Sequence, residues 1–449
     1  MNLTTIWKRL FHWAGLLCLL AKLPSASAAD PHYVFAHYMV CFATYGATVA
    51  GYEQDIKDAQ AAGVDGFVLD VPEWNGPDTY YNTRTEQIFQ AAEALGTHFK
   101  LLFSVEMTNT ADIVAMLGTY TARSNYFYFH NKAVVSTYGQ NSVDWANGVF
   151  APLSKQGINV FFVPYFEPEP ISHAQDYSNA TNLLTKYTNI LDGLYYFAAG
   201  TVSNMIGIND SYNQACKQYG KIFMAGYSPS YWGCNQPPTR GYIEDDGGEG
   251  TVSQWTNIIQ TQPDWVEITT WNDWGESTYI SPIADPSVYF PDVASPRRYS
   301  HGGFLELSRR YIAWYKTGQP PANNADALFY FYRTHSTNAV ASSPTELPVT
   351  NFKGDVADII YTTVILTAPA TLQISSGPKM FTNSLPAGMT HVRVPFAPGA
   401  QKFSVTRNGT QVLSAQGPDI LSAIQVYDYF PASGYTYGLP APSNLRIVH

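Results

Sequence analysis

Between residues 33 and 318 the chain alternates eight β-rich runs with stretches of helical periodicity. The β-rich runs are Val34 to Val40, Gly66 to Val71, Leu101 to Met107, Ala133 to Ser136, Asn159 to Phe166, Gly193 to Phe197, Ile222 to Tyr227 and Trp265 to Thr270. Helical patterns fall at Tyr52 to Ala62, Thr85 to Leu95, Ala111 to Tyr120, Val143 to Lys155, Ala180 to Leu191 and Gln254 to Gln260, and Phe304 to Lys316 closes the set. Strands that alternate with helices run parallel, because each crossover returns the chain to the same end of the sheet. Eight such runs predict an α/β fold with a (β/α)8 TIM barrel over residues 29–320. An open dinucleotide-binding sheet is disfavoured, because no glycine fingerprint follows the first strand.

The pattern changes at Gly318 to Asn324, where Gln319-Pro320-Pro321 reads as a linker. Beyond it helical periodicity fades. Leu328 to Arg333, Asp358 to Leu366, Ala370 to Ile374, His391 to Pro395 and Gln401 to Arg407 read as strands, punctuated by Pro, Gly, Ser and Asn. They predict a C-terminal β-sandwich domain over residues 321–449. Pro431 to Pro442, rich in Pro, Gly, Ser and Tyr, is expected to be a surface segment with little regular structure.

At the N-terminus, Lys8 and Arg9 precede an apolar stretch, Leu10 to Leu20, too short to span a bilayer. Ala26-Ser27-Ala28 fits the small-residue cleavage rule, so residues 1–28 are expected to be a signal peptide and the protein to be secreted. No later stretch suits a transmembrane helix, and no apolar C-terminal tail suggests a lipid anchor. Cysteine usage agrees with export. Cys216 and Cys234 flank one strand-and-loop segment and are expected to form a disulfide, with Cys41 left as a free, small apolar residue. Asn179, Asn209 and Asn408 open Asn-x-Ser/Thr sequons and are expected to carry glycans.

Composition narrows the function classes. The net charge of -10 argues against nucleic acid or an anionic membrane as partner. Charged residues make up only 13% and aromatics 15%, a balance typical of secreted carbohydrate-active proteins. Gly241 to Gly250 is glycine-rich but acidic, so it would repel phosphate. Its Glu244, Asp245, Asp246 and Glu249 lack the alternating ligands of a calcium loop, and no zinc spacing occurs, so neither metal nor cofactor is expected. No Gly-x-Ser-x-Gly elbow suggests an esterase, and no nucleophile–base spacing suggests a protease.

In a (β/α)8 barrel the reacting groups sit at the C-terminal ends of the strands. This chain places His37 and Tyr38 at the first end, Asp70 at the second, Glu106 at the third, and Tyr165 and Glu167 at the fifth. Tyr227 and Trp232 follow the seventh strand, and Trp271, Asn272, Asp273, Trp274 and Glu276 follow the eighth. Such a concentration of carboxylates and aromatic rings suits a glycoside hydrolase: one carboxyl protonates the leaving oxygen, another handles the water, and flat rings take sugar faces. Asp273 and Glu276, three residues apart in a turn, are the candidate pair. Each has a structural alternative: the two carboxylates as helix caps, the tryptophans as packing, and Asp70 as a backbone ligand at a buried strand end.

Four blocks carry a resemblance. Val34-Phe35-Ala36-His37-Tyr38-Met39-Val40, Gly51-Tyr52-Glu53-Gln54-Asp55-Ile56, Ala61-Ala62-Gly63-Val64-Asp65-Gly66-Phe67 and Glu267 to Ser277 are ordered and spaced as in glycoside hydrolase family 71. The chain thus resembles the fungal α-1,3-glucanases, or mutanases, across the barrel and more loosely through the C-terminal part. The resemblance implies inverting endo-hydrolysis of α-1,3-glucan, with Asp273 and Glu276 as the acid/base pair; Glu276 as acid and Asp273 as base is one assignment, and the reverse stays open. From their places at the strand ends, His37, Asp70, Glu106 and Glu167, together with Tyr227, Trp232, Trp271, Asn272 and Trp274, are the expected sugar contacts. The flanking tryptophans are expected to raise the acid's pKa by desolvation. The chain departs from the family pattern where Asp70 stands in place of the usual Asn and Glu106 in place of the usual Asp. The expected partner is a polysaccharide, an α-glucan, acted on by a monomer. A hydrolase of another polysaccharide, or a catalytically silent glucan-binding protein on the same scaffold, are the alternatives. Retention of both carboxylates argues against the silent one.

Overall fold

The computed structural model describes residues 30–96, 98–169, 172–233, 241–282, 299–344 and 348–438. The expected leader, residues 1–28, lies outside them, as does Cys234. The described residues from His32 onward group as one compact unit. No described helix is long and apolar enough to cross a membrane.

Among the described residues eight parallel strands build the main sheet: β1 (Tyr33–Met39), β2 (Gly66–Val71), β3 (Lys100–Val105), β4 (Lys132–Thr137), β5 (Val160–Phe162), β6 (Gly193–Tyr195), β7 (Ile222–Tyr227) and β8 (Trp265–Ile268). Their order is β5-β4-β3-β2-β1-β8-β7-β6, and a two-residue strand, Tyr128–Phe129, hairpins onto β4. All eight expected β-runs are present. The fifth is shorter than expected as a regular strand, Val160–Phe162, although Val163 N and Tyr165 N still donate to Val135 O and Thr137 O of β4 at 3.0 and 3.1 Å. The sheet is curled. Trp265 on β8 meets the rings of Tyr33 and Phe35 on β1 at 6.3 and 6.1 Å, and also that of Phe161 on the edge strand β5 at 5.9 Å.

The helices are α1 (Val49–Ala61), α2 (Tyr80–Ala94), α3 (Thr110–Tyr120), α4 (Ala151–Lys155, entered through a π-turn at Trp145–Phe150), α5 (Tyr177–Lys186), α6 (Val202–Tyr219), α7 (Gly247–Thr261) and α8 (Gly302–Thr317). Their starts follow local chemistry. Thr48 accepts from the Gly51 amide at 3.1 Å, Asn109 from Ala111 at 3.0 Å and Asp176 from Asn179 at 2.9 Å, each satisfying an orphan donor of a first turn. The longest helix, α6, is absent from the expected set because polar residues interrupt its buried stripe. Asn209 there bonds both the amide and the carbonyl of Gly226, at 3.1 and 2.8 Å, and Asn213 donates to Thr261 O.

The C-terminal part forms two four-stranded antiparallel sheets. Its strands are β9 (Ala327–Arg333), β10 (Ile359–Leu366), β11 (Ala370–Ser376), β12 (Lys379–Leu385), β13 (Gly388–Pro395), β14 (Gly399–Arg407), β15 (Thr410–Ile420) and β16 (Pro431–Tyr437). The orders are β13-β10-β9-β16 and β12-β11-β14-β15. Leu328, Tyr330, Ile360, Val364, Leu372 and Phe403, drawn from both sheets, share one apolar cluster. The opposite face of the first sheet, with Phe329, Phe331, Tyr361 and Ile365, joins the core of the α/β part. All seven residues of β9 are therefore buried. The expectation for Pro431 to Pro442 is corrected: Pro431–Tyr437 is a strand paired antiparallel to β9 over all of its residues. Pro431 is tolerated because it is the first residue of an edge strand.

The expected Cys216–Cys234 disulfide involves Cys234, which lies outside the described residues. Cys216 is fully buried near the end of α6, where its carbonyl accepts from Lys221 N just before β7 begins. Of the sequons, Asn179 and Asn209 are only 2% and 3% exposed; Asn179 Oδ1 accepts from the Tyr212 hydroxyl, and the Asn209 side chain bonds the backbone of Gly226. Asn408 stands exposed in the β14–β15 turn, with φ +52°.

Candidate active site

The interior of the curled sheet changes character along the strands. The aromatic layer around Trp265 gives way, two residues further along β1 and β8, to His37 and Glu267. A strand's side chains alternate between faces, so His37 stands on the same side as Phe35, and Glu267 as Trp265. His37 Nδ1 lies 2.8 Å from Glu267 Oε1, and its Nε2 lies 3.7 Å from Asp70 Oδ1. All three side chains are buried. Burial alone would push the imidazole pKa down, but the two carboxylates outweigh it and raise it to about 10. The carboxyls of Glu267 and Asp70 on either side of the ring thus favour the protonated form of His37. Glu267 is pushed up by burial and drawn back down by His37.

The loop after β8 adds the carboxylate pair. Asp273 is 8% exposed, and its Oδ1 accepts from the amides of Gly275 at 2.8 Å and Glu276 at 3.0 Å. Its own amide donates to Thr270 Oγ1 at 2.8 Å. Burial raises the Asp273 pKa to about 6, against the pull of those two amides. Glu276 is half-buried. Glu106, at the end of β3, is pushed up to about 8, first by burial and then by the charge of Asp70, with Asp273 and Glu276 adding to it. His37, Asp70, Glu106, Asp273 and Glu276 are thus gathered into one electrostatic unit.

A cleft of about 360 Å³ opens beside Glu276, lined by Tyr138, Phe197 and Tyr231 among others. Phe197 links it to the charged layer, meeting the His37 ring at 5.2 Å and Tyr138 at 4.7 Å. Glu167 lies at its edge: its amide is held by Asn141 Oδ1 at 3.0 Å, burial raises its carboxyl, and its charge reaches Tyr138.

Five of the expected sugar contacts do not face this cleft. Trp271 is fully buried, donates through Nε1 to Asp55 at 2.8 Å and packs on Phe67. Asn272 is equally buried and ties the β1 end to the loop, accepting from Met39 N at 2.8 Å and donating to Met39 O at 3.1 Å. Trp274 packs on Tyr279 at 4.2 Å, and Trp232 on Tyr429 and Phe430 at 5.6 and 4.9 Å. Tyr227 packs on Trp255, with its hydroxyl between Thr251 and Ser308. These five pack against neighbouring elements, Trp271, Asn272 and Trp274 from the loop after β8, and Tyr227 and Trp232 from the end of β7 and the short strand beyond it. Cys41 is a free thiol whose pKa burial pushes up.

Sequence reasoning missed Glu267, Tyr138 and Phe197. Glu267 had a signal, a lone charge inside the buried run Trp265-Val266-Glu267-Ile268, which demands a partner. Tyr138 directly follows β4 and falls under the same strand-end rule. Of the acidic loop, Glu244 pairs with Arg333, and Asp246 and Glu249 with Arg393. No group of metal ligands occurs among the described residues.

Residues 30–438 match the model of glycosyl hydrolase family 71. A glucan endo-1,3-alpha-glucosidase of Schizosaccharomyces pombe is 28% identical over 94% of this chain and 98% of its own length. A mutanase of Penicillium rubens is 28% identical over 96% and 97%. An ascus wall endo-1,3-alpha-glucanase of Schizosaccharomyces pombe is 27% identical over 86% and 92%. Among solved structures, the GH99 endo-alpha-mannosidase of Bacteroides thetaiotaomicron has a TM-score of 0.48 and 14% identity, covering 63% of this chain and 97% of that one. The family match over nearly the whole chain, on a curled α/β sheet with its carboxylates gathered at one mouth, makes this protein a glycoside hydrolase: it belongs to glycosyl hydrolase family 71.

Proposed function

We propose that the protein is a secreted, monomeric hydrolase of α-1,3-glucan, endo-acting and inverting, that works on fungal cell walls. Asp273 and Glu276 form the acid/base pair. The observation that carries this reading is their placement after β8: Asp273 is held by two backbone amides beside a charged unit, and Glu276 faces the aromatic-lined cleft. Two donated amide hydrogens favour the ionised form of Asp273, which suits a base that activates water. Glu276 then protonates the leaving oxygen. His37, Asp70, Glu106 and Glu167 position the sugar or tune the pair. The linkage rests on the names of the three relatives.

The same proposal takes the sheet to be a closed (β/α)8 barrel. Asp192 N donates to Phe162 O and Tyr195 N to Pro164 O, both at 2.9 Å, bridging β6 to the β5 edge. It takes the two C-terminal sheets to be a β-sandwich around their shared cluster, with the boundary near residue 320 and a leader removed from residues 1–28. Asn408 is the one sequon whose exposure suits a glycan.

A second reading of the proton donor is favoured by one observation. Burial and the neighbouring carboxylates push the Glu106 carboxyl up to about 8, which favours its protonated form at neutral pH. Reducing-sugar release from insoluble α-1,3-, α-1,4- and β-1,3-glucans tests the main proposal. Release from α-1,3-glucan by the wild type, abolished in Glu276→Gln and Asp273→Asn, is the expected result. Release from another glucan overturns the linkage, and binding without release from any overturns the hydrolysis of these substrates. An activated glucosyl fluoride separates the donors, since the variant lacking the true acid keeps activity on a leaving group that needs no proton.

A further inference from the structure

The cleft beside Glu276 is not built by the α/β part alone. A short strand from the C-terminal part, Asn351–Lys353, pairs in parallel with Gly241–Ile243, which itself pairs antiparallel with Tyr231–Trp232 after β7. Register fixes which side chains face where. Phe352 lies opposite Tyr242 and packs on the rings of Tyr242 and Tyr429, at 6.2 and 5.9 Å. Successive residues of a strand point to opposite faces, so Asn351 and Lys353 share the other face. That face is the cleft wall, where both residues line the cavity together with Tyr231 and Glu276. Both are exposed. The strand is held by its backbone and by Phe352: Glu244 N donates to Lys353 O at 2.9 Å, while Glu244 itself is anchored by Arg333 at 3.0 Å. The side chains of Asn351 and Lys353 therefore carry none of the anchoring.

We propose that Asn351 and Lys353 form a sugar subsite: the Asn351 amide and the Lys353 ammonium donate to hydroxyls of a glucosyl unit lying against Tyr231, next to the bond that Glu276 protonates. The chemistry matches a neutral polysaccharide, with a few placed donors on an aromatic-lined wall. The C-terminal part is then a component of the substrate site and sets chain-length preference. This inference rests on reading the cleft as the glucan site.

The test compares wild type, Asn351→Ala, Lys353→Met and Lys353→Arg on oligosaccharides of increasing length from the glucan that the wild type cleaves. A rise in KM of about ten-fold on long oligosaccharides, with kcat within about two-fold, would mark lost substrate binding rather than lost chemistry. It should come with a shifted product-length pattern, an unchanged Tm and partial rescue in Lys353→Arg. Unchanged KM and products at every length, with the variants folded, overturn the subsite, as does a loss confined to kcat with a falling Tm. Cleavage of a glucan other than α-1,3 overturns the linkage and leaves the comparison valid on that glucan. If the wild type cleaves none, retention on insoluble α-1,3-glucan decides. Weaker retention of Asn351→Ala and Lys353→Met supports the subsite, and equal retention overturns it.

Discussion

His37 Nδ1 sits 2.8 Å from Glu267 Oε1, with 2% and 0% of the two side chains exposed. The pair crosses between neighbouring strands, β1 and β8, and the charge of His37 reaches Glu106 and Asp273. Taking two charges out of water is costly, and an ion pair survives there only with good geometry and further partners. Asp70 supplies one from β2. The base of the site thus sets one imidazole between two carboxyls, and His37 also draws down the pKa of Glu106 and Asp273.

Removing Glu267 should be costly. Glu267→Gln leaves His37 with Asp70 as its remaining anion and is expected to destabilise the fold by about 3–5 kcal/mol, as for other broken buried pairs. The pH dependence gives the sign. The folded pKa of His37, about 10, exceeds the unfolded value of 6.5. Its contribution is complete below about pH 6.5 and is lost as pH rises toward 10. Thermal melts across that window should show wild-type Tm falling with pH, and a flatter slope in Glu267→Gln.

Much of the fold was legible because buried parallel strands read as unbroken apolar runs: Gly66–Val71 and Ile222–Tyr227 were located to the residue. Helix α6 was illegible because its buried Asn209 and Asn213 bond to backbone, which periodicity cannot register. Strand Pro431–Tyr437 was hidden by the very residues, Pro and Gly, that mark turns elsewhere. At the site, the carboxylates stood where the strand-end rule put them, but the rule says nothing about direction. After Ile268 the chain leaves the ladder, alternation ends, and the aromatic residues of that loop turned out to pack inward.

Asn272→Ala tests that distinction. The side chain bonds both the amide and the carbonyl of Met39, so its loss leaves buried groups unpaired, at a cost of about 1–3 kcal/mol. Chemical denaturation should show that loss. KM for glucan should change less than two-fold in the fraction that stays folded, because Asn272 is wholly buried.

Gly248 marks the seam between the two parts of the chain. A Cβ there would stand 2.4 Å from Thr363 Oγ1 and 2.7 Å from a Phe331 ring carbon. Gly248→Ala should therefore overpack the seam and cost about 1–3 kcal/mol. A single cooperative unfolding transition at lower denaturant is expected, since Phe331 and Tyr361 belong to the same core as the α/β strands.

Three sequons give a clean readout of burial. Glycan transfer in a folded protein needs an accessible amide, and Asn179 and Asn209 have theirs inside the core. Mass spectrometry of the protein from a glycosylating host should find Asn408 occupied and the other two bare.

The pH–rate profile joins the electrostatics to the chemistry. A base must be ionised, so kcat/KM should rise with pH through the Asp273 value of about 6. A donor must be protonated. If Glu106 is the donor, activity falls again as pH passes about 8, and Glu106→Gln loses about 10²–10⁴-fold on natural glucan. If Glu276 is the donor, Glu276→Gln takes that loss. Glu106→Gln then leaves the acidic limb nearly in place, because Glu106 is already protonated at the pH where Asp273 ionises. Profiles of the two variants, on glucan and on the fluoride, assign the proton by which of them loses activity on glucan alone.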